Sequence, residues 1–124
     1  MEKVHCICVM RDLFRAFSEM EANLVNDYDL SLNEAMILCC VGDDCLTSTA
    51  ISQNIGLLPS HTSKTLRSIE TKGLAKRSMG KEDKRQMYFT LTSKGKKRLA
   101  KLKENGLAVP TYLQPFFHPE QCEQ

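Results

Sequence analysis

The sequence predicts a mainly helical fold with one small β-hairpin, and three observations carry that expectation. Two short amphipathic segments follow each other across a glycine turn. The first opens at Thr47 and ends near Asn54 to Gly56; the second opens at Pro59 and stops at Gly73. Two extended candidates, Leu74 to Met79 and Gln86 to Leu91, then flank the polar run Gly80-Lys81-Glu82-Asp83-Lys84-Arg85, as in a long hairpin. Outside this centre, Leu13, Phe17, Met20 and Leu24 on one side and Leu99 and Leu102 on the other recur at helical spacing.

In chain order, residues 1–30 read as an N-terminal arm and helix. Val4, Cys6, Cys8 and Met10 alternate with other residues, so the first ten positions fit either an extended arm or the first turns of a helix. From Met10 the helical stripe settles, widened by Phe14 and Val25, and Asp27 to Asp29 breaks it. Ser31 and Glu34 then form a capping box, with Leu30 and Ala35 as its hydrophobic staple. They open a helix to about Val41 that turns Ile37, Leu38 and Val41 inward, and Gly42-Asp43-Asp44 closes it. Cys39 and Cys40 are expected to fill core or near-core space there. Thr47 caps the next helix, with Leu46 and Ile51 as staple. After the hairpin, Thr92 caps a helix running to about Asn105 and stopping at Gly106. Gly95 costs that helix propensity, and close backbone packing is the reason to expect for it. In the tail, residues 106–124, Pro110, Pro115 and Pro119 forbid a long regular helix. Tyr112, Leu113, Phe116 and Phe117 are nevertheless too apolar for a simple disordered end, so a short helix or ordered arm docking on a partner subunit is expected.

The segment from Leu58 to Arg77 carries the functional argument. Pro59 suits the first helical position, Leu66 and Ile69 share one face, and Gly73 falls where a left-handed cap is needed. Ser60, His61, Ser63, Lys64 and Arg67 occupy the opposite face. Small polar residues let a helix end approach base edges, while Lys and Arg neutralise phosphates. A helix-turn-helix followed by a basic-tipped hairpin is a winged helix-turn-helix, expected over residues 31–105. Ser60, His61, Thr62, Lys64 and Thr65 are candidates for base contacts, and Arg67 and Lys76 for phosphates. Lys81, Lys84 and Arg85 at the hairpin tip would meet the adjacent minor groove, where a narrow A·T-rich stretch favours a guanidinium. Asp83 lies two residues before Arg85, on the same side of an extended tip, and would orient it. The plainer alternatives are a solvated helix face and an exposed ion pair.

The run Gly73 to Gly95 resembles the wing region of the MarR family of transcriptional regulators. The resemblance rests on Gly73-Leu74-Ala75-Lys76-Arg77, Asp83-Lys84-Arg85 and Leu91-Thr92-Ser93-Lys94-Gly95, in that order, and covers roughly residues 30–102. It implies a homodimer paired through its terminal helices, a pseudo-palindromic double-stranded DNA operator, and a transcriptional regulator of repressor type. It also implies Arg85 in the groove with Asp83 steadying the wing, and a small apolar or phenolic effector between domains. Some members use a cysteine near the first helix, which by region would place a redox role on Cys6 or Cys8. The proline-containing tail departs from the family's long final helix. A winged-helix protein-interaction module is the alternative function.

Composition is consistent with this. At 124 residues the chain is one domain in size. Residues 1–50 hold three basic against nine acidic residues, net −6, whereas residues 51–105 hold fourteen against four, net +10. Positive charge therefore concentrates where the second helix and hairpin fall, as a polyanion ligand requires. Six cysteines without a secretion signal read as reduced thiols, and a cytoplasmic protein with no membrane segment is expected. His5, His61 and His118 lie far apart, no phosphate-binding glycine loop is present, and the cysteine spacings match no paired zinc knuckle. No enzyme activity, metal or cofactor is expected.

Overall fold

Each helix of this protein starts or stops where side chains or glycines take up its free backbone groups. The structure, a computed structural model, describes residues 2–80, 82 and 85–116. Helix α1 (Glu2–Tyr28) is helical from its second residue, which decides between the two readings of the N-terminus. Asp29 ends it at φ 56, a left-handed value that Asp tolerates, with its N–H on the Val25 carbonyl at 3.0 Å. Helix α2 (Leu32–Val41) opens on the capping box: the Glu34 N–H donates to Ser31 Oγ at 3.1 Å and the Ser31 N–H to Glu34 Oε1 at 2.8 Å. Strand β1 (Leu46–Thr47) leads into α3 (Ser48–Ile55), whose Ala50 N–H donates to the Thr47 hydroxyl at 3.1 Å. Gly56 closes α3 at φ 76, and the buried Ser52 hydroxyl donates to the Leu57 carbonyl at 2.6 Å, pinning the turn. Helix α4 (Pro59–Thr71) follows, then β2 (Ala75–Met79), β3 (Met87–Leu91), α5 (Ser93–Asn105) and a 3-10 helix (Thr111–Phe116).

Leu30–Gly106 forms one compact unit; the described parts of Met1–Asp29 and Leu107–Gln124 form another. In the first, Ile37, Leu38, Ile51, Leu66, Ile69 and Leu74 are fully enclosed, so α2, α3 and α4 converge on one apolar centre closed by the sheet. That sheet is three-stranded and antiparallel, in the order β1-β3-β2. Its first strand is an addition to the expected hairpin: Leu46 pairs with Phe89 and Thr47 with Tyr88. A two-residue strand offers no alternation for a sequence pattern to reveal.

In the other unit the apolar residues of α1 divide. Ala16 and Leu24 are buried, whereas Ile7, Met10, Phe14 and Phe17, spaced three, four and three residues apart, remain exposed. The 3-10 helix packs on α1 of the same chain through the buried Leu113, so part of the apolar content expected to seek a partner is used within the chain. Cys39 is exposed rather than near-core, because α2 turns its packed face through Ile37, Leu38 and Val41.

The junction of α4, β2 and α5 explains Gly95. A Cβ there would collide with the Leu74 carbonyl, 2.9 Å from its carbon. Gly95→Ala is expected to lower unfolding stability by about 1–3 kcal/mol through overpacking against backbone, checked by urea denaturation of both proteins.

Candidate nucleic-acid interface

Helix α4 presents two faces. Leu66 and Ile69 are buried, and Ser60, His61, Ser63, Lys64 and Arg67 are exposed on the other side. Two of the sequence candidates fall on the inner face. Thr62 is 1% exposed and Thr65 is 9%, and their hydroxyls donate back to the Leu58 and His61 carbonyls at 3.1 and 2.8 Å. As buried, internally bonded groups they are positioned to pack the helix, not to reach a base, which corrects their assignment. Thr62 lies four residues before Leu66 and Thr65 four before Ile69, a spacing that the polarity of threonine masks in the sequence.

What aims α4 is a buried carboxylate that sequence reasoning treated only as a cap. Glu34, 3% exposed, accepts from the Ser31 N–H, from Ser68 Oγ at 2.6 Å and from Lys72 Nζ at 2.9 Å. Ser68 and Lys72 stand four residues apart on one side of α4, so one carboxylate on α2 grips the last turn of the helix. Burial pushes the Glu34 carboxyl up, but the hydrogen bonds from Ser68, the Ser31 N–H and Lys72 outweigh it and hold the group below its ordinary range. A second clamp joins α4 to β2. Arg77 donates twice to Glu70, at 3.0 and 2.7 Å, and lies over the Phe89 ring, 5.5 Å from its centroid. Arg77 is thus a structural part of the wing root.

The wing stands beside α4. Lys76 and Arg85 are exposed, and Arg85 borders a cleft with Thr49, Gln53 and Gln86 at the start of α3. Lys81, Lys84 and Asp83 lie outside the described residues. The described candidates that stand exposed are therefore Ser60, His61, Lys64 and Arg67 on α4 and Lys76 and Arg85 on the wing.

The cysteines among the described residues are free: Cys6 and Cys45 are exposed, and Cys8 is half-buried. Burial raises the Cys40 thiol above its ordinary value, and Asp44 raises it further, which disfavours the reactive thiolate. Among the described residues no group of three His, Cys, Asp or Glu side chains is placed to hold a metal ion, and no helix is long and apolar enough to cross a membrane.

No protein-family model matches the sequence, and no curated protein does. Solved structures match closely in shape. Overoxidized AbfR bound to DNA superposes with a TM-score of 0.73 at 19% identity, covering 98% of this chain and 85% of that one. The transcriptional repressor CouR bound to a DNA duplex gives 0.68 at 26% identity, covering 78% and 68%. MarR from E. coli complexed with operator DNA gives 0.65 at 20%, covering 81% and 74%. The fold is that of the MarR-family winged-helix regulators. Within that fold the Thr47–Gly73 region forms the helix-turn-helix, with α4 as its second helix and β2–β3 as its wing.

Because the folded state holds Glu34 at a lowered pKa, its contribution is fully present above the unfolded value, near 4.5, and is lost as pH falls through the folded value. Glu34→Gln is expected to cost roughly 1–3 kcal/mol near neutrality. The gap from wild type should narrow steadily once the pH drops below the ordinary carboxylate range, as read by urea unfolding across an acid series.

Proposed function

We propose that this chain is a homodimeric, sequence-specific, double-stranded DNA-binding transcriptional regulator of the MarR type, acting as a repressor in the cytoplasm. The observation that carries this reading is the outward face of α4. Ser60, His61, Lys64 and Arg67 stand exposed on a helix held from behind by Leu66, Ile69 and the Glu34 clamp, with Arg85 on the wing beside it. Base edges fall to Ser60, His61 and Lys64, and phosphates to Arg67 and Lys76. Arg85 enters the adjacent minor groove with Lys81 and Lys84 near it, and Asp83 steadies the tip. The net +10 of residues 51–105 supplies the field that such a ligand requires.

The dimer reading is supported by α1. Ile7, Met10, Phe14 and Phe17 form an exposed apolar stripe, which two copies of the helix would bury in each other. A two-fold dimer offers two recognition helices to successive major grooves, hence a pseudo-palindromic operator. Regulation acts on that dimer geometry, through a small apolar or phenolic ligand or through oxidation of Cys6 or Cys8 on the same helix.

Three measurements test these assignments. Arg85→Ala is expected to weaken operator binding by ~10-fold or more, about 1.4 kcal/mol, with an unchanged melting curve. Fluorescence anisotropy at fixed salt reads the first, and affinity equal to wild type removes the wing from the minor groove. In a salt series the wild-type affinity should fall steeply through counterion release; a flat response supports a protein-interaction module instead. Phe14→Asp is expected to convert a dimer to monomers by light scattering.

A further inference from the structure

The start of the recognition helix combines two features that stability alone disfavours. Leu58 occupies the N-cap of α4 and makes no side-chain cap hydrogen bond. Ser, Thr, Asn or Asp is preferred there because a side-chain oxygen satisfies a free N–H of the first turn. The other three helices of the same unit all use that device, through Ser31, Thr47 and Thr92. Only α4 omits it, and in its place stands a leucine that is 63% exposed. Ser60, His61 and Lys64, all exposed, follow it in the first turns of the helix. An exposed leucine at a position where a capping side chain is preferred departs from local preference, as functional positions do.

The backbone beneath Leu58 is held in place. Its conformation, φ −64 and ψ 148, is the extended one imposed on a residue before proline. Its carbonyl accepts both the Thr62 N–H at 2.9 Å and the Thr62 hydroxyl at 3.1 Å. The side chain therefore projects from a fixed point at the helix end that docks first into a major groove. Among the groups that base edges display there, one is apolar: the C5 methyl of thymine. We propose that Leu58 is a specificity-determining residue that packs on a thymine methyl group next to the bases read by Ser60 and His61. This rests on the DNA-binding reading above. It accounts for both anomalies, since the apolar surface is covered in the complex and the missing cap leaves room at the helix end for the duplex.

The test removes the methyl group without touching the protein. A duplex is first selected by the wild-type protein from a random pool, then remade with deoxyuridine at every thymidine. Wild type, Leu58→Ser and Leu58→Met are titrated on both duplexes by fluorescence anisotropy at one salt concentration, with melting curves alongside. Wild type is expected to lose about 4-fold in affinity for each methyl contact removed, the worth of one buried carbon. Leu58→Met keeps an apolar contact and most of that loss. Leu58→Ser should bind the two duplexes alike, while melting at an equal or higher temperature because serine supplies the absent cap. A deoxyuridine penalty in Leu58→Ser as large as in wild type, or no penalty in wild type, overturns the assignment and leaves DNA recognition by α4 standing; Leu58 then faces another partner. Failure of wild type to select any sequence overturns both readings together.

Discussion

One carboxylate sets the angle at which α4 leaves the body of the winged unit. Glu34 is drawn out of water at a cost of several kcal/mol if left alone, and three donors from three places in the chain offset that cost. The Ser31 N–H ties it to the start of its own helix, and Ser68 and Lys72 tie it to the end of another. Lys72 also sits at the C-terminal end of α4, where a cation is favoured by the helix dipole. Apolar packing through Leu66 and Ile69 fixes how deep α4 lies, but such contacts are non-directional. The polar clamp adds direction, so rotation of α4 about its own axis would strip donors from a buried charge.

A second junction does the same work for the last helix. The Thr92 hydroxyl accepts the Gly95 N–H at 3.1 Å and donates to the Gly73 carbonyl at 2.6 Å. Lys94 Nζ donates to the Lys72 carbonyl at 3.0 Å, and Leu74 lies where a Cβ on Gly95 would be. The end of α4, the first residue before β2 and the first turn of α5 are thus joined by one threonine and one absent side chain. This gives a physical reason for two of the three short motifs that carried the resemblance, Gly73-Leu74 and Leu91-Thr92-Ser93-Lys94-Gly95. Arg77 completes the first by bracing β2 against Glu70 and Phe89.

Most helix boundaries were legible because their signals are local. Ser31, Thr47 and Thr92 each cap the helix that their position announces, and Gly56, Gly73 and Gly106 close helices at positive φ. The outer face of α4 was legible too, through Ser60, His61, Lys64 and Arg67. What sequence missed depends on partners far along the chain. Thr62 and Thr65 are polar yet inward, the role of Glu34 needs residues thirty-four and thirty-eight positions away, and β1 exists only because β3 passes beside it. Leu58 is a fourth case: its exposure is a property of the surface it stands on, and leucine in a sequence suggests the reverse.

The short strand β1 also has a mechanical consequence. It pairs with Phe89 and Tyr88 and stops there, while β2 continues alongside β3 as far as the Met79–Met87 pair. At its base the ribbon is therefore held on both edges of its middle strand; beyond Tyr88 it is held on one. A two-stranded ribbon has little stability of its own, so the pairing at Tyr88 and Phe89 is where the third strand braces it. Arg77 pairs with Phe89 at that brace, and Arg85 lies before the start of β3. The root, and the helix that Arg77 braces against it, thus gains rigidity from a strand only two residues long.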